Sequence, residues 1–228
     1  MEVDVKEAYI RFMAPVMPQT ATQLFQIIDA KLREKCERIH LLISSNGGSV
    51  FHGLSLYNFL RGAPFELFTY NFGSVDSIGV VLFCAGKRRF SVPHARFLIH
   101  GVSATFMGNQ TIDEKGLEER IKSLQIDYKN IARVIADTCG RPAEKVQDEM
   151  NNRTTLDPTQ GKEYGLVHEI KSELFPVDAD LSSINETAQG QPLQFPFPQG
   201  FPIQLQQVTV PNIQGVTEMS ELEHITHS

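Results

Sequence analysis

The strongest constraint on this chain is its alternation of short, unbroken apolar runs with longer segments of helical period. "IHLLIS" (39–44) is rich in β-branched and apolar residues and lacks polar alternation, so it reads as a strand buried on both faces. Before it, residues 19–36 carry Leu24, Ile27, Ile28 and Leu32 at helical spacing. After it, "NGG" (46–48) breaks the strand and "SVFHGLSLYNFLR" predicts a second helix. "AYIRFMA" near the start, "FELFTYN" (65–71), "RFLIHG" (96–101) and "LVHEI" (166–170) read as further strands. Strands joined through helices with short turns imply an α/β fold with a parallel, largely buried sheet. The chain shows no internal repeats.

The longest predicted helix spans residues 113–138. Leu117, Ile121, Leu124, Tyr128, Ile131 and Ile135 follow one another at steps of 4 and 3, a stripe suited to a core or a partner helix. Gly140 suits its C-terminal cap, and Pro142 suits the first turn of the next helix. Asp157 is placed to cap a short helix over 158–165. Composition changes near residue 175. Six of the 12 prolines and many glutamines lie beyond it, so 1–175 reads as one domain and 176–228 as a disordered or extended tail. Its apolar residues Phe195, Phe197, Phe201, Ile203 and Leu205 leave a docking role open.

With a net charge of −6 and no basic run longer than "KRR" (87–89), the chain offers no electrostatic footprint for nucleic acid. No apolar run approaches a membrane span, and "MEVDVKEAYIRF" has no signal-peptide pattern. The three cysteines, Cys36, Cys84 and Cys139, are scattered and odd in number, which fits reduced thiols in a cytoplasmic protein.

Three places carry residues suited to chemistry. In "SSNGGSV" (44–50) two glycines follow a strand and open a helix, as an ordinary turn does, and as a backbone that approaches a ligand closely also does. In "GSVDSIGV" (73–80) Ser77 lies between a strand and an apolar helix. Such a serine is commonly an N-cap. The same position favours the charge that develops when a serine attacks a carbonyl. His100 ends a parallel strand, at the edge where sites form in such sheets, and it is a candidate general base.

In this order, "SSNGGSV", "GSVDSIGVVLFCAG", "KRRFSVPHARFLIH" and "KEYGLVHEI" resemble the Clp protease proteolytic subunit, ClpP, a family of serine peptidases. The resemblance runs over roughly residues 7–171. It implies the ClpP/crotonase-like fold: repeated β-β-α/βα units, a mainly parallel sheet and a long handle helix that packs between two rings of subunits. It implies Ser77 as nucleophile, His100 as base, and the amides of Gly48 and Ile78 as the oxyanion hole. It also implies a homo-oligomeric ring that encloses peptide or unfolded-protein substrates, with no cofactor or metal. Departures are specific. The family's triad aspartate falls at Arg153, beside Asn152, so Asn152 is a candidate third member; Asp148, Glu149, Asp157 or a Ser–His dyad are the alternatives. The family's Gln-Pro after the histidine is "GV" here. The match starts almost at the first strand, without the family's axial loop, so coupling to a Clp-type ATPase is not expected. A catalytically impaired scaffold or binding protein is the alternative function, and a crotonase-type acyl-CoA enzyme a third.

Overall fold

A computed structural model describes residues 5–103 and 111–185. The strands are β1 (Glu7–Met13), β2 (Arg38–Ser45), β3 (Glu66–Asp76), β4 (Arg88–Ser91), β5 (Arg96–Ile99), β6 (Thr154–Leu156), β7 (Glu169–Ile170) and β8 (Leu181–Asn185). The helices are α1 (Pro18–Arg33), α2 (Val50–Gly62), α3 (Ile78–Cys84), α4 (Glu114–Cys139), α5 (Ala143–Asn151) and α6 (Pro158–Tyr164). The main sheet runs β6-β5-β3-β2-β1-β8, and β4 pairs with β3 and β7. Every pairing is parallel except β5 with β6.

The strands are apolar on both sides because both faces are covered. One face packs against the helices through Ile10, Phe12, Leu41, Ile43 and Phe97, with Leu24, Ile28, Leu56 and Phe83 contributed from the helices. The other carries an aromatic cluster of Tyr9, Tyr70 and Phe90 with Leu42, flanked by Phe68, Phe72, Leu174 and Leu181.

Strand β3 forks. Phe68–Asn71 pair with β4, whereas Ser74–Asp76 pair with β5. Between them the register with β2 slips. Buried Asn71 fills the fork, accepting from the Gly73 amide at 3.1 Å and donating Nδ2 to the Arg96 carbonyl at 2.8 Å. The fork swings the end of β3 toward β5.

Several expectations change. Pro142 caps α5 from outside instead of opening its first turn. "LVHEI" contracts to a two-residue strand, with Leu166 and Val167 buried in the turn before it. The sheet gains β4, β6 and β8, three strands too short for their pattern to stand out. The folded unit also extends past residue 175: Leu181–Asn185 add to β1 in parallel, and Ile184 is fully buried. Polar "LSSIN" hides this strand, because only two of its residues are buried. Residues 186–228, including the five apolar tail residues, lie outside the described residues.

Candidate active site

Strands β3 and β5 end side by side, and each delivers one candidate residue. Ser77 follows β3 with φ 58° and ψ −128°. A β-carbon disfavours this conformation, at a cost of about 1–3 kcal/mol, so the surrounding structure must impose it. Its amide donates to the Leu98 carbonyl at 2.8 Å, and its carbonyl accepts from the Val80 amide at 3.0 Å. Although Ser77 stands at the N-cap position of α3, its side chain makes no capping hydrogen bond. The hydroxyl is thereby left for other work. Every residue of α3 behind it is buried.

The "NGG" loop lies against this turn. A β-carbon on Gly47 (φ 89°) would sit 2.6 Å from Ser77 Cβ, so only glycine permits the approach. A β-carbon on Gly48 (φ 143°) would lie 2.4 Å from the Val16 carbonyl oxygen. The Val16 amide donates to Gly47 O and the Ser49 amide to Val16 O, both at 2.7 Å, which pins the loop to the segment after β1. Among the described residues nothing accepts from the Gly48 amide. Ile78, the first residue of α3, has an amide with no acceptor inside its helix.

His100 follows β5 and is half-buried. Its Nδ1 lies 2.7 Å from the Gly101 carbonyl oxygen. A carbonyl only accepts, so Nδ1 carries a proton, and in the neutral ring Nε2 then keeps its lone pair, the tautomer a base needs. Gly101 is itself anchored, its amide donating to Met150 O at 3.0 Å. Asn152 is exposed at the C-cap of α5 and makes no hydrogen bond to His100. Glu149 is engaged elsewhere, with Arg141 and Tyr164, and Asp157 caps α6. Asp76 turns away from Ser77, accepting from Ser74 Oγ at 2.8 Å and from Arg96 at 2.9 Å. A cavity of about 530 Å3 opens beside this carboxylate at the strand ends, lined by Met13, Pro15, Ser44, Asn46, Asp76 and Arg96 among others.

The family model for Clp protease matches residues 2–173, most of the chain. The chain belongs to the Clp protease family. The chain is 32% identical over 136 residues to the ATP-dependent Clp protease proteolytic subunit of Bdellovibrio bacteriovorus, covering 58% of this chain and 63% of that protein. The match to proteolytic subunit 1 of Corynebacterium jeikeium is 29% over 171 residues, covering 73% of this chain and 88% of that protein. Among solved structures, a ClpP1 mutant from Listeria monocytogenes superposes with a TM-score of 0.64 at 22% identity, over 75% of this chain and 93% of that one. That likeness establishes a ClpP fold.

Two features of this Clp family member escaped the sequence. Gly47, not only Gly48, is required, because it abuts Ser77; its signal was the doubled glycine. The Gly101 carbonyl as partner of His100 had no signal, since every residue supplies a carbonyl. Among the described residues no cluster of His, Cys, Asp or Glu is arranged to hold a metal, and no helix is long and apolar enough to cross a membrane.

Proposed function

We propose that this chain is a serine peptidase of the ClpP type. The observation that carries the reading is the left-handed turn at Ser77, which frees the hydroxyl from capping and sets it against Gly47. Ser77 Oγ attacks the scissile carbonyl carbon and passes its proton to His100 Nε2. The amides of Gly48 and Ile78 hold the resulting oxyanion. His100 then protonates the leaving amine as the C–N bond breaks, leaving an acyl-enzyme. Water, deprotonated by His100, attacks the ester; the acid leaves and Ser77 recovers its proton. The Gly101 carbonyl orients the imidazole, so Ser77 and His100 work as a dyad, with Asn152 the alternative third member. Substrates are peptides or unfolded polypeptides, and the sites face a chamber made by a ring of copies. The exposed apolar stripe on the first half of α4 supports that assembly, as does the naming of the relatives as proteolytic subunits.

A fluorophosphonate probe tests the reading. The native protein is expected to label at Ser77, and Ser77→Ala to abolish labelling and lower peptide hydrolysis by about 10³-fold or more. Absence of labelling in the native protein would favour the second reading, an impaired scaffold, which rests on the described residues placing no carboxylate at His100.

A further inference from the structure

Ser77 and His100 stand at the ends of neighbouring strands, so the register of β3 on β5 sets the distance between them. That ladder is short: Ser74 faces Arg96, Val75 faces Phe97 and Asp76 faces Leu98. On its other side β5 pairs with the three residues of β6. Side chains reinforce this junction at three points. Asn71 Nδ2 donates to the Arg96 carbonyl at 2.8 Å. The Arg96 guanidinium donates to Asp76 Oδ2 at 2.9 Å. Ser74 Oγ donates to Asp76 Oδ1 at 2.8 Å. Asp76 is only 6% exposed, so its carboxylate depends on these two donors. The next backbone group, the Ser77 amide, donates to Leu98 O and holds the strained turn. The clamp and the turn therefore share one ladder.

The geometry points to Asp76 and Arg96 as positioning residues for the proposed reaction. Their ion pair, completed by Ser74, fixes β5 against β3 and thereby sets the spacing between Ser77 and His100. The inference rests on the peptidase reading above. The Arg96 side chain is 52% exposed, so removing Asp76 leaves a cation that water solvates, whereas removing Arg96 leaves a buried carboxylate held by Ser74 alone. The loss of Asp76 should therefore appear in the chemistry before it appears in folding. Misplacing reacting groups by about 1 Å costs on the order of 10²-fold in rate.

The full chain carrying Asp76→Ala, Asp76→Asn, Arg96→Ala or Arg96→Lys tests the role. Readouts are kcat and KM on a peptide, the fluorophosphonate labelling rate, thermal melting, and amide exchange at Ser77 and Phe97–Ile99. Asp76→Ala and Arg96→Ala are expected to lower kcat and labelling by about 10- to 100-fold, leaving KM within about 3-fold. Arg96→Lys should recover most of the rate, and the Ser77 amide should exchange faster in both alanine variants while the melting of Asp76→Ala is nearly unchanged. Wild-type labelling and wild-type Ser77 exchange in Asp76→Ala would overturn the inference. So would a fall in kcat matched by faster exchange across the whole sheet, the mark of a merely structural pair. Should Asp76→Ala fail to fold, Asp76→Asn and Arg96→Lys decide by the same readouts. Absence of labelling in the native protein sinks the peptidase reading, and Ser77 exchange in the variants then decides the register lock by itself.

Discussion

At the residue scale, the chemistry turns on what touches His100. A backbone carbonyl one residue away orients the ring but offers less charge than a carboxylate to the imidazolium that the proposed reaction forms. If Gly101 fills this place, Asn152→Ala should leave kcat within about 3-fold; a fall of about 10²-fold would move the role to Asn152. A second histidine is tuned for structure. His40 stacks on Tyr9 at 4.2 Å, with Nδ1 2.8 Å from the Tyr70 hydroxyl and Nε2 3.2 Å from Glu7. Burial outweighs the attraction of Glu7 and pulls its pKa from 6.5 down to about 4. Between these values the unfolded chain binds a proton that the folded one refuses. The stability is thus complete above pH 6.5 and is lost as pH falls toward 4, by about 3 kcal/mol. Urea denaturation from pH 7 to 4 should show this decline, and His40→Gln should flatten it.

At the scale of elements, a single buried cation ties together parts that pattern alone does not connect. Arg89 of β4, 7% exposed, donates to the carbonyls of Leu166, Gly86 and Gly165 at 2.7, 3.1 and 3.1 Å, and reaches the carbonyl of Thr138 in α4 at 3.4 Å. Burial lowers its pKa, yet a guanidinium stays charged. These bonds join the end of α3, the last turn of α4 and the turn after α6. Arg89→Met fills much of the same space but strands the carbonyls, and should cost about 3 kcal/mol or more in urea denaturation. In the sequence "KRR" is a short charge run and the start of a family motif; the packed structure turns its last arginine inward.

On the scale of the whole molecule, α4 divides by function. Ile131 and Ile135 are buried in the core, whereas Leu117 and Ile121, earlier on the same stripe, are each 48% exposed. The regular stripe continues past the point where this subunit can cover it, so a second copy is the proposed cover. The double variant Leu117→Glu, Ile121→Glu should keep the melting behaviour of the isolated subunit and shift sedimentation toward smaller species. Unchanged sedimentation would place the assembly contact elsewhere.

The sequence determined the α/β class, the long helix, the caps at Asp157 and Gly140, and the family, because these depend on local period, local turn chemistry and motifs in fixed order. It also brought forward Ser77 and His100 as a pair, though they stand 23 positions apart. The tertiary structure decided what surrounds them. The fork in β3, the approach of Gly47 to Ser77, the clamp of Asp76 by Arg96 and the addition of β8 are contacts between residues distant in the chain. Such contacts leave little trace in local pattern, since each partner looks ordinary where it stands. Ser77 illustrates the division: by sequence it could be a cap, and only its left-handed backbone, held by Leu98 of the neighbouring strand, leaves its hydroxyl uncommitted.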